Sequence, residues 1–252
     1  AARGFAHLGV IKVFREQGIP IDFISGTSAG SFAGGAIASG MSVESIIEVG
    51  KHISWYRVSG LSLSTKGLVS NAPIAEIIRD KFPFHRFEEL MIPFAAVATD
   101  LETGKEKIFS DQGDLGFAIC ASCAIPGIFD PLEDEDGKMY IDGGVVSPVP
   151  TKAVRDLGAD IVIAVDVISS GASYWGHPST IVGIIFQSAM MLLRTAALNQ
   201  HYHADCVIMP EISHLRPDEI SKMDEFIELG ENAARAKLDE IEKLLTKIES
   251  DL

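Results

Sequence analysis

The segment Ile24-Ser25-Gly26-Thr27-Ser28-Ala29-Gly30 constrains this chain more than any other. Apolar, β-favouring Ile19, Ile21, Phe23 and Ile24 run up to it and read as a strand. From 29 to 39 nearly every residue is Ala, Gly or Ser, with only Phe32 and Ile37 large. A run that small fits a helix pressed closely against a sheet. A strand that turns at once into such a helix through Gly-x-Ser-x-Gly forms a nucleophile elbow, in which the glycines permit a sharp turn and the serine oxygen stands exposed. Ser28 is therefore a candidate nucleophile, with Gly26, Ala29 and Gly30 shaping the turn. The pattern alone is common; the strand before it and the small-residue helix after it give it weight. The stretch before Ser28 holds one helix and one strand, whereas an α/β-hydrolase places several elements ahead of its nucleophile and orders its triad Ser, Asp, His. A different serine-hydrolase architecture is expected.

Helical and strand patterns alternate along the remainder. Leu8, Ile11 and Phe14 recur at helical spacing before Gly18; Ile46, Ile47 and Val49 mark a second helix; Pro73 opens another, followed by Ile74, Ile77 and Ile78. Strands are expected over 94–99, 161–166 and 206–209, with 94–99 joined to 106–110 by a Gly-containing turn as a hairpin. Helices are expected over 151–157 and from about 218 onward. At 47% hydrophobic and without linker or repeat, residues 1–252 read as a single α/β domain, a mostly parallel central sheet with helices on both faces. Reactive groups then collect beyond the carboxyl ends of the strands.

A serine needs a base. Asp142-Gly143-Gly144 offers a carboxylate at a tight turn, its plain alternative being an ordinary Asp-Gly turn. A triad through His177 or His214 is the runner-up. His201 and His203 suggest a metal pair, but no Cys or carboxylate pattern completes a zinc site. Cys120 and Cys123 have redox spacing yet sit among small residues that read as buried. Glu133-Asp134-Glu135-Asp136-Gly137 lacks the alternating ligand spacing of a calcium loop and reads as a solvated turn. A net charge of −14 argues against nucleic acid as a partner and against a polybasic anchor on anionic lipid, so any membrane contact is local and apolar. Trp55, Tyr56, Leu61, Leu63 and Leu68 fall in a loop-like stretch that lines an acyl channel or tucks onto the core. Residues 181–193 are too short to span a bilayer and read as a buried helix, with a pocket wall or the dimer face of a homo-oligomer as the other readings.

Four blocks together resemble the patatin-like phospholipase family. They are Ala1-Ala2-Arg3-Gly4-Phe5-Ala6-His7-Leu8-Gly9-Val10, the elbow, Ala121-Ser122-Cys123-Ala124-Ile125-Pro126-Gly127, and Asp142-Gly143-Gly144 followed by Pro148-Val149-Pro150. The resemblance covers nearly the whole chain. It implies a Ser28–Asp142 dyad that needs no histidine, with Gly143 and Gly144 supporting the turn and no cofactor or metal. It also implies oxyanion donors from a Gly-rich first block, of which this chain keeps Arg3 and Gly4; the preceding glycines and their strand are expected upstream of Ala1, so the domain reads as truncated there. The implied activity is hydrolysis of fatty-acyl esters of phospholipids or lysophospholipids, with a transacylase or a non-catalytic lipid-binding module as alternatives. The implied partner is a lipid, met where it gathers at a membrane surface. Three cysteines without a disulfide framework suit a cytoplasmic protein peripheral to a membrane, with a signal peptide upstream left open.

Overall fold

The central strand β2 (Phe94–Asp100) organises the molecule. In the computed structural model, which describes residues 2–59, 70–171, 179–216 and 219–251, β2 pairs in parallel with β1 (Ile24–Thr27) on one side. On its other neighbours it pairs antiparallel with β3 (Glu106–Phe109) and β5 (Met139–Asp142), and β5 pairs with the short β4 (Leu132–Glu133). A separate parallel pair joins β6 (Ile163–Val165) to β7 (Cys206–Ile208). The expected mostly parallel sheet is thus a mixed one. The β2–β3 and β4–β5 connections are tight hairpin turns, and a tight turn can join only antiparallel neighbours.

Burial along β2 shows both faces covered. Phe94 and Ala96 pack into the main core with α2 (Ala29–Ala38), α4 (Ala72–Lys81) and α5 (Leu115–Ser122), while Ala95 and Val97 pack against Ala153 of α6 (Thr151–Asp156). A strand buried on both faces needs small apolar residues on both, which Ala95, Ala96, Val97 and Ala98 supply. A second core forms where α1 (Phe5–Glu16) meets the β6–β7 pair, α8 (Met223–Arg235) and α9 (Leu238–Asp251). There α1 and α8 touch backbone to backbone: a Cβ on Gly9 would lie 2.0 Å from the Ile227 carbonyl oxygen, and one on Gly230 would lie 2.1 Å from that of Ala6.

Three segments differ from their sequence reading. The first strand begins at Ile24 rather than Ile19, because pairing starts only where β2 begins, with the Ile24 amide donating to the Pro93 carbonyl at 3.0 Å. Trp55 and Tyr56 lie on helix α3 (Val43–Ser59), not in a loop; Gly50, the lone breaker, is kept where the Phe5 ring would lie 2.5 Å from a Cβ. Leu61, Leu63 and Leu68 lie outside the described residues. Finally, the apolar run from 181 continues as α7 (Ile181–Gln200) and is not buried: one face packs through Leu193 and Ala197, and the other is exposed.

The α1–α8 contact gives a direct test. Gly230→Ala should force the two helices apart and cost about 1–3 kcal/mol or more, the scale of overpacking in a closed interior. Urea unfolding should show a lower midpoint with an unchanged slope, whereas Gly104→Ala, where a Cβ meets nothing but the backbone has φ +66°, should be felt only through its turn.

Candidate active site

Ser28 occupies a backbone geometry that its own chemistry disfavours. Its φ of 57° and ψ of −126° lie outside the regions open to ordinary L-residues. The surroundings hold it there from both sides. The Ser28 amide donates to Ser122 Oγ at 2.9 Å, and that hydroxyl donates in turn to the Val97 carbonyl at 2.6 Å. The Ser28 carbonyl accepts from Ser31 Oγ at 2.7 Å and from Cys123 Sγ at 3.2 Å. The two motif glycines serve different ends. A Cβ on Gly26 would fall 2.3 Å from the Gly30 carbonyl oxygen, so the tight return of helix onto strand demands glycine; a Cβ on Gly30 would meet only His7 Nε2, at 3.6 Å.

Asp142 is the last residue of β5 and is 6% exposed. Its amide donates to the Ala124 carbonyl at 2.8 Å and its carbonyl accepts from Thr99 Oγ1 at 3.0 Å, which fixes the backbone. Its Oδ1 accepts from the Gly144 amide at 2.7 Å, and the Ser28 side chain lies near enough to the carboxylate to favour its charged form. The structure therefore brings Ser28 and Asp142 together. Gly143 permits this approach, since a Cβ there would sit 2.2 Å from the Val97 carbonyl oxygen. Burial pushes the Asp142 carboxyl up to about 6, against Ser28 and the Gly144 amide, which favour the charged form. A carboxylate so placed is a far better proton acceptor near neutrality than an exposed aspartate.

The first block reaches the same place. Gly4 lies against Ala29, where a Cβ would meet the Ala29 Cβ at 2.7 Å, and both line an apolar pocket that opens beside Ser28. Phe5, Leu8, Phe32, Ile46, Ile74 and Phe129 complete its walls. Arg3 is buried nearby; desolvation lowers its pKa, and the charge of Asp166 opposes that. Because Ser122 already holds the Ser28 amide, that N–H is not free to meet a developing oxyanion.

The histidines have other employment. His201 Nε2 lies 2.7 Å from the fully buried Asp166 Oδ2, and His214 Nε2 lies 3.1 Å from Glu225. His177 lies outside the described residues. His7 faces Gly30, and burial pushes its pKa down to about 4, which keeps it neutral. Among the described residues no cluster of three or more His, Cys, Asp or Glu is placed to hold a metal ion. Burial pushes the Cys123 thiol up to about 12 and Cys120 upward as well, so both are protonated and neither behaves as a redox thiolate. In the acidic turn, Asp134 accepts from the Asp136 and Lys138 amides and from the Tyr140 hydroxyl at 2.8 Å, which makes it the clasp of the β4–β5 hairpin.

Sequence reasoning missed Ser122 and Gln200. Gln200 accepts from the Val149 amide at 2.7 Å and donates to Ser147 Oγ at 2.9 Å, while the Ser147 carbonyl accepts from Thr27 Oγ1 at 2.7 Å. The end of α7 thus clamps the loop that follows Asp142 to the strand that precedes Ser28. A glutamine at the end of an apolar run carries no pattern that announces this.

Comparison with known proteins gives a consistent set. Residues 1–155 match the family model described as patatin-like phospholipase. An uncharacterized NTE family protein of Mycobacterium tuberculosis is 38% identical over 174 residues, 68% of this chain and 48% of that protein. A lysophospholipase of Kluyveromyces lactis is 35% identical over 175 residues, 66% of this chain and 12% of that protein. The chain spans about half the length of the mycobacterial relative. The crystal structure of VipD from Legionella pneumophila superposes with a TM-score of 0.55 at 14% identity, covering 95% of this chain and 65% of that one, and shares the fold.

The shifted carboxyl has a thermodynamic signature. A group whose pKa is raised by folding, here from 3.8 to about 6, contributes stability below the unfolded value that is lost as pH rises through the folded one. Asp142→Asn should remove this loss. The variant should gain on the parent by up to about 2–3 kcal/mol between roughly pH 4 and pH 7, measured by urea unfolding at each pH. A difference that stays constant with pH would mean that Asp142 is not shifted.

Proposed function

Since this chain belongs to the patatin-like phospholipase family, we propose that it hydrolyses fatty-acyl esters of phospholipids or lysophospholipids through a Ser28–Asp142 dyad. The observation that carries this reading is the strained Ser28 at the wall of an apolar pocket, with the buried Asp142 carboxylate beside it. The acyl chain enters the pocket and its carbonyl carbon meets Ser28 Oγ. As the C–O bond forms, the serine proton passes to Asp142, and the tetrahedral intermediate carries a negative oxygen. Asp142 returns the proton to the leaving alcohol as the ester bond breaks, which leaves acyl-Ser28. Water, deprotonated by the same carboxylate, then releases the fatty acid and restores the serine. The backbone strain at Ser28 and its grip by Ser122 and Cys123 keep the oxygen in place without reorganisation. The Kluyveromyces lactis lysophospholipase and the patatin-like phospholipase family match support the substrate class.

Removing either partner should cost about 10⁴-fold or more in kcat, as for other nucleophile–base units. Ser28→Ala should also abolish covalent labelling by a fluorophosphonate. Asp142→Asn should keep the fold and lose the reaction, and kcat/KM of the parent should rise with pH through about 6, as the carboxyl ionises. EDTA should leave the rate unchanged. His201→Asn should lower stability through Asp166 yet spare the chemistry; a folded histidine variant as inactive as Ser28→Ala would replace the dyad with a triad.

The same proposal includes a strand upstream of Ala1 that carries the oxyanion donors. What supports it is a slot in the sheet. The edges of β1 and β6 face each other across a cavity of about 830 Å³, roofed by Val10 and Phe14 of α1 and Ile37 of α2 and floored by Val149 and Val154. Filled with water, it would wet apolar side chains on both faces. An extended apolar segment parallel to β1 fits, and it would end near Gly4 and Ala29, where an oxyanion forms. Protein extended by its native upstream residues should show a higher thermal midpoint and about 10²-fold or greater p-nitrophenyl ester hydrolysis than residues 1–252. Equal values in the two forms would place the donors elsewhere.

A further inference from the structure

We propose that the outward face of α7 is a lipid-docking surface, on which the protein lies against an aggregated substrate with its active site turned toward it. The proposal rests on the lipid-ester reading above. Ile181, Ile184, Ile185, Met191, Leu192 and Leu198 are all exposed, Ile181 by 78% and Leu192 by 72%. At about 100° per residue they fall on one side of the helix and form one stripe along it. The opposite stripe, Leu193, Ala197 and Gln200, faces the protein. The helix therefore has one face already satisfied by the fold and another, largely apolar with Ser188, Thr195 and Asn199 among its exposed residues, turned to the outside. A contiguous exposed patch of this kind marks a partner.

Charge and position select the partner. The chain carries 35 Asp and Glu and a net charge of −14, yet α7 has none of these acids; its one charged residue is Arg194. An acidic protein thus presents a neutral-to-positive strip, which suits a zwitterionic or weakly anionic headgroup layer. A helix seam between two copies of this chain would instead carry charged flanks to set its register. Tyr202, 87% exposed at the end of the helix, has the amphipathic character of an interfacial aromatic. No described helix is long and apolar enough to cross a membrane, so the contact lies along the surface rather than through it.

Continuity with the site is direct. Leu193 Cδ2 comes within 3.0 Å of where a Gly144 Cβ would be, beside Asp142, and Gln200 holds Ser147 and Val149. The residue after Gly144, Val145, is itself exposed. The helix that carries the stripe is thus the one that holds the loop after Asp142.

The test uses phosphatidylcholine vesicles and the double variant Ile185→Glu/Leu192→Glu, with binding measured by co-sedimentation in a Ser28→Ala background so that nothing is hydrolysed. Vesicle partitioning should fall by about tenfold per residue replaced. With Ser28 intact, hydrolysis of vesicular lipid should fall in parallel, while hydrolysis of soluble p-nitrophenyl butyrate and the thermal midpoint stay at the parent's level. If the double variant loses stability, Leu192→Gln alone carries the same comparison. Vesicle binding that is unchanged in the variants, or absent in the parent, overturns the proposal. So does a parent dimer that the variant converts to monomer with vesicle binding unaffected, since the face would then cover a second copy. Vesicle binding lost in the variant of a protein that hydrolyses no ester would keep the docking surface and sink the hydrolase reading instead.

Discussion

The register of β2 against its two neighbours is the constraint from which the site follows. Thr27 pairs with Val97 across the parallel β1–β2 ladder, and Asp142 pairs with Ala98 across the antiparallel β2–β5 ladder. Because β3 pairs with residues 96–99 of β2 and so overlaps both other ladders, β1 and β5 share the opposite edge of β2, and Ser28 leaves β1 where Asp142 of β5 takes up the pairing. Gly143 completes the approach, since it lets the chain after Asp142 fold onto the Val97 carbonyl, beside Thr27 at the end of β1. A slip of one residue in either ladder would turn one member of the pair to the opposite face. Hydrogen bonds through Ser122 to Val97 and through Thr99 to Asp142 pin the register from above, so both halves of the site are referred to the same strand.

What the sequence disclosed follows from how local each signal is. The elbow was legible because its determinants are adjacent: β-favouring residues, a glycine that only a close return requires, and a helix of small side chains. Asp142 was legible less from itself than from its company, since Asp-Gly-Gly is an ordinary turn and gained meaning only beside three other blocks. The helix over 72–81 and the 94–109 hairpin came from periodicity and turn chemistry, which neighbours do not override. The start of β1 was misplaced because propensity says where a strand is allowed, whereas pairing says where it begins; Ile19, Ile21 and Phe23 satisfy the first condition only. The burial of α7 was misjudged for a related reason. An apolar run reports that water is disfavoured, not what replaces it, and here the fold covers one face of the helix and leaves the other.

Ser122, Cys123 and Gln200 were invisible as site residues because their roles are wholly tertiary. Each satisfies a backbone group made awkward by function: the amide and carbonyl on either side of a strained Ser28, and the loop after Asp142. Holding a non-glycine residue at positive φ costs on the order of 1–3 kcal/mol, and hydrogen bonds of ordinary strength in a buried place offset that only if several converge. Five do so at Ser28, if the amides of Ser31 at 2.9 Å and Phe32 at 3.2 Å are counted with the side chains.

The two buried carboxylates among the described residues show how the fold separates structure from chemistry. Asp166 is fully buried, yet its pKa moves down. Burial alone would raise it, but Ser169 donates through hydroxyl and amide, the Ile168 amide adds a bond at 2.7 Å, and His201 adds another. That charge is satisfied on every side, so it is inert: it ties the end of β6 to the end of α7 and has no reason to take a proton. Asp142 is equally hidden but receives only the Gly144 amide, with the Ser28 side chain beside it, and its pKa moves up to about 6. Desolvation is common to both; the number of donors decides the sign. A carboxylate left short of donors in a dry place gains most by accepting a proton, and the donor within reach that can release one is the serine hydroxyl. With His7 held neutral by its own burial and His201 committed to Asp166, the proton has nearer recourse to Asp142 than to either ring. The base in this site is thus set by an under-supply of hydrogen bonds as much as by proximity, and a fold that satisfied Asp142 as fully as Asp166 would leave Ser28 without an acceptor.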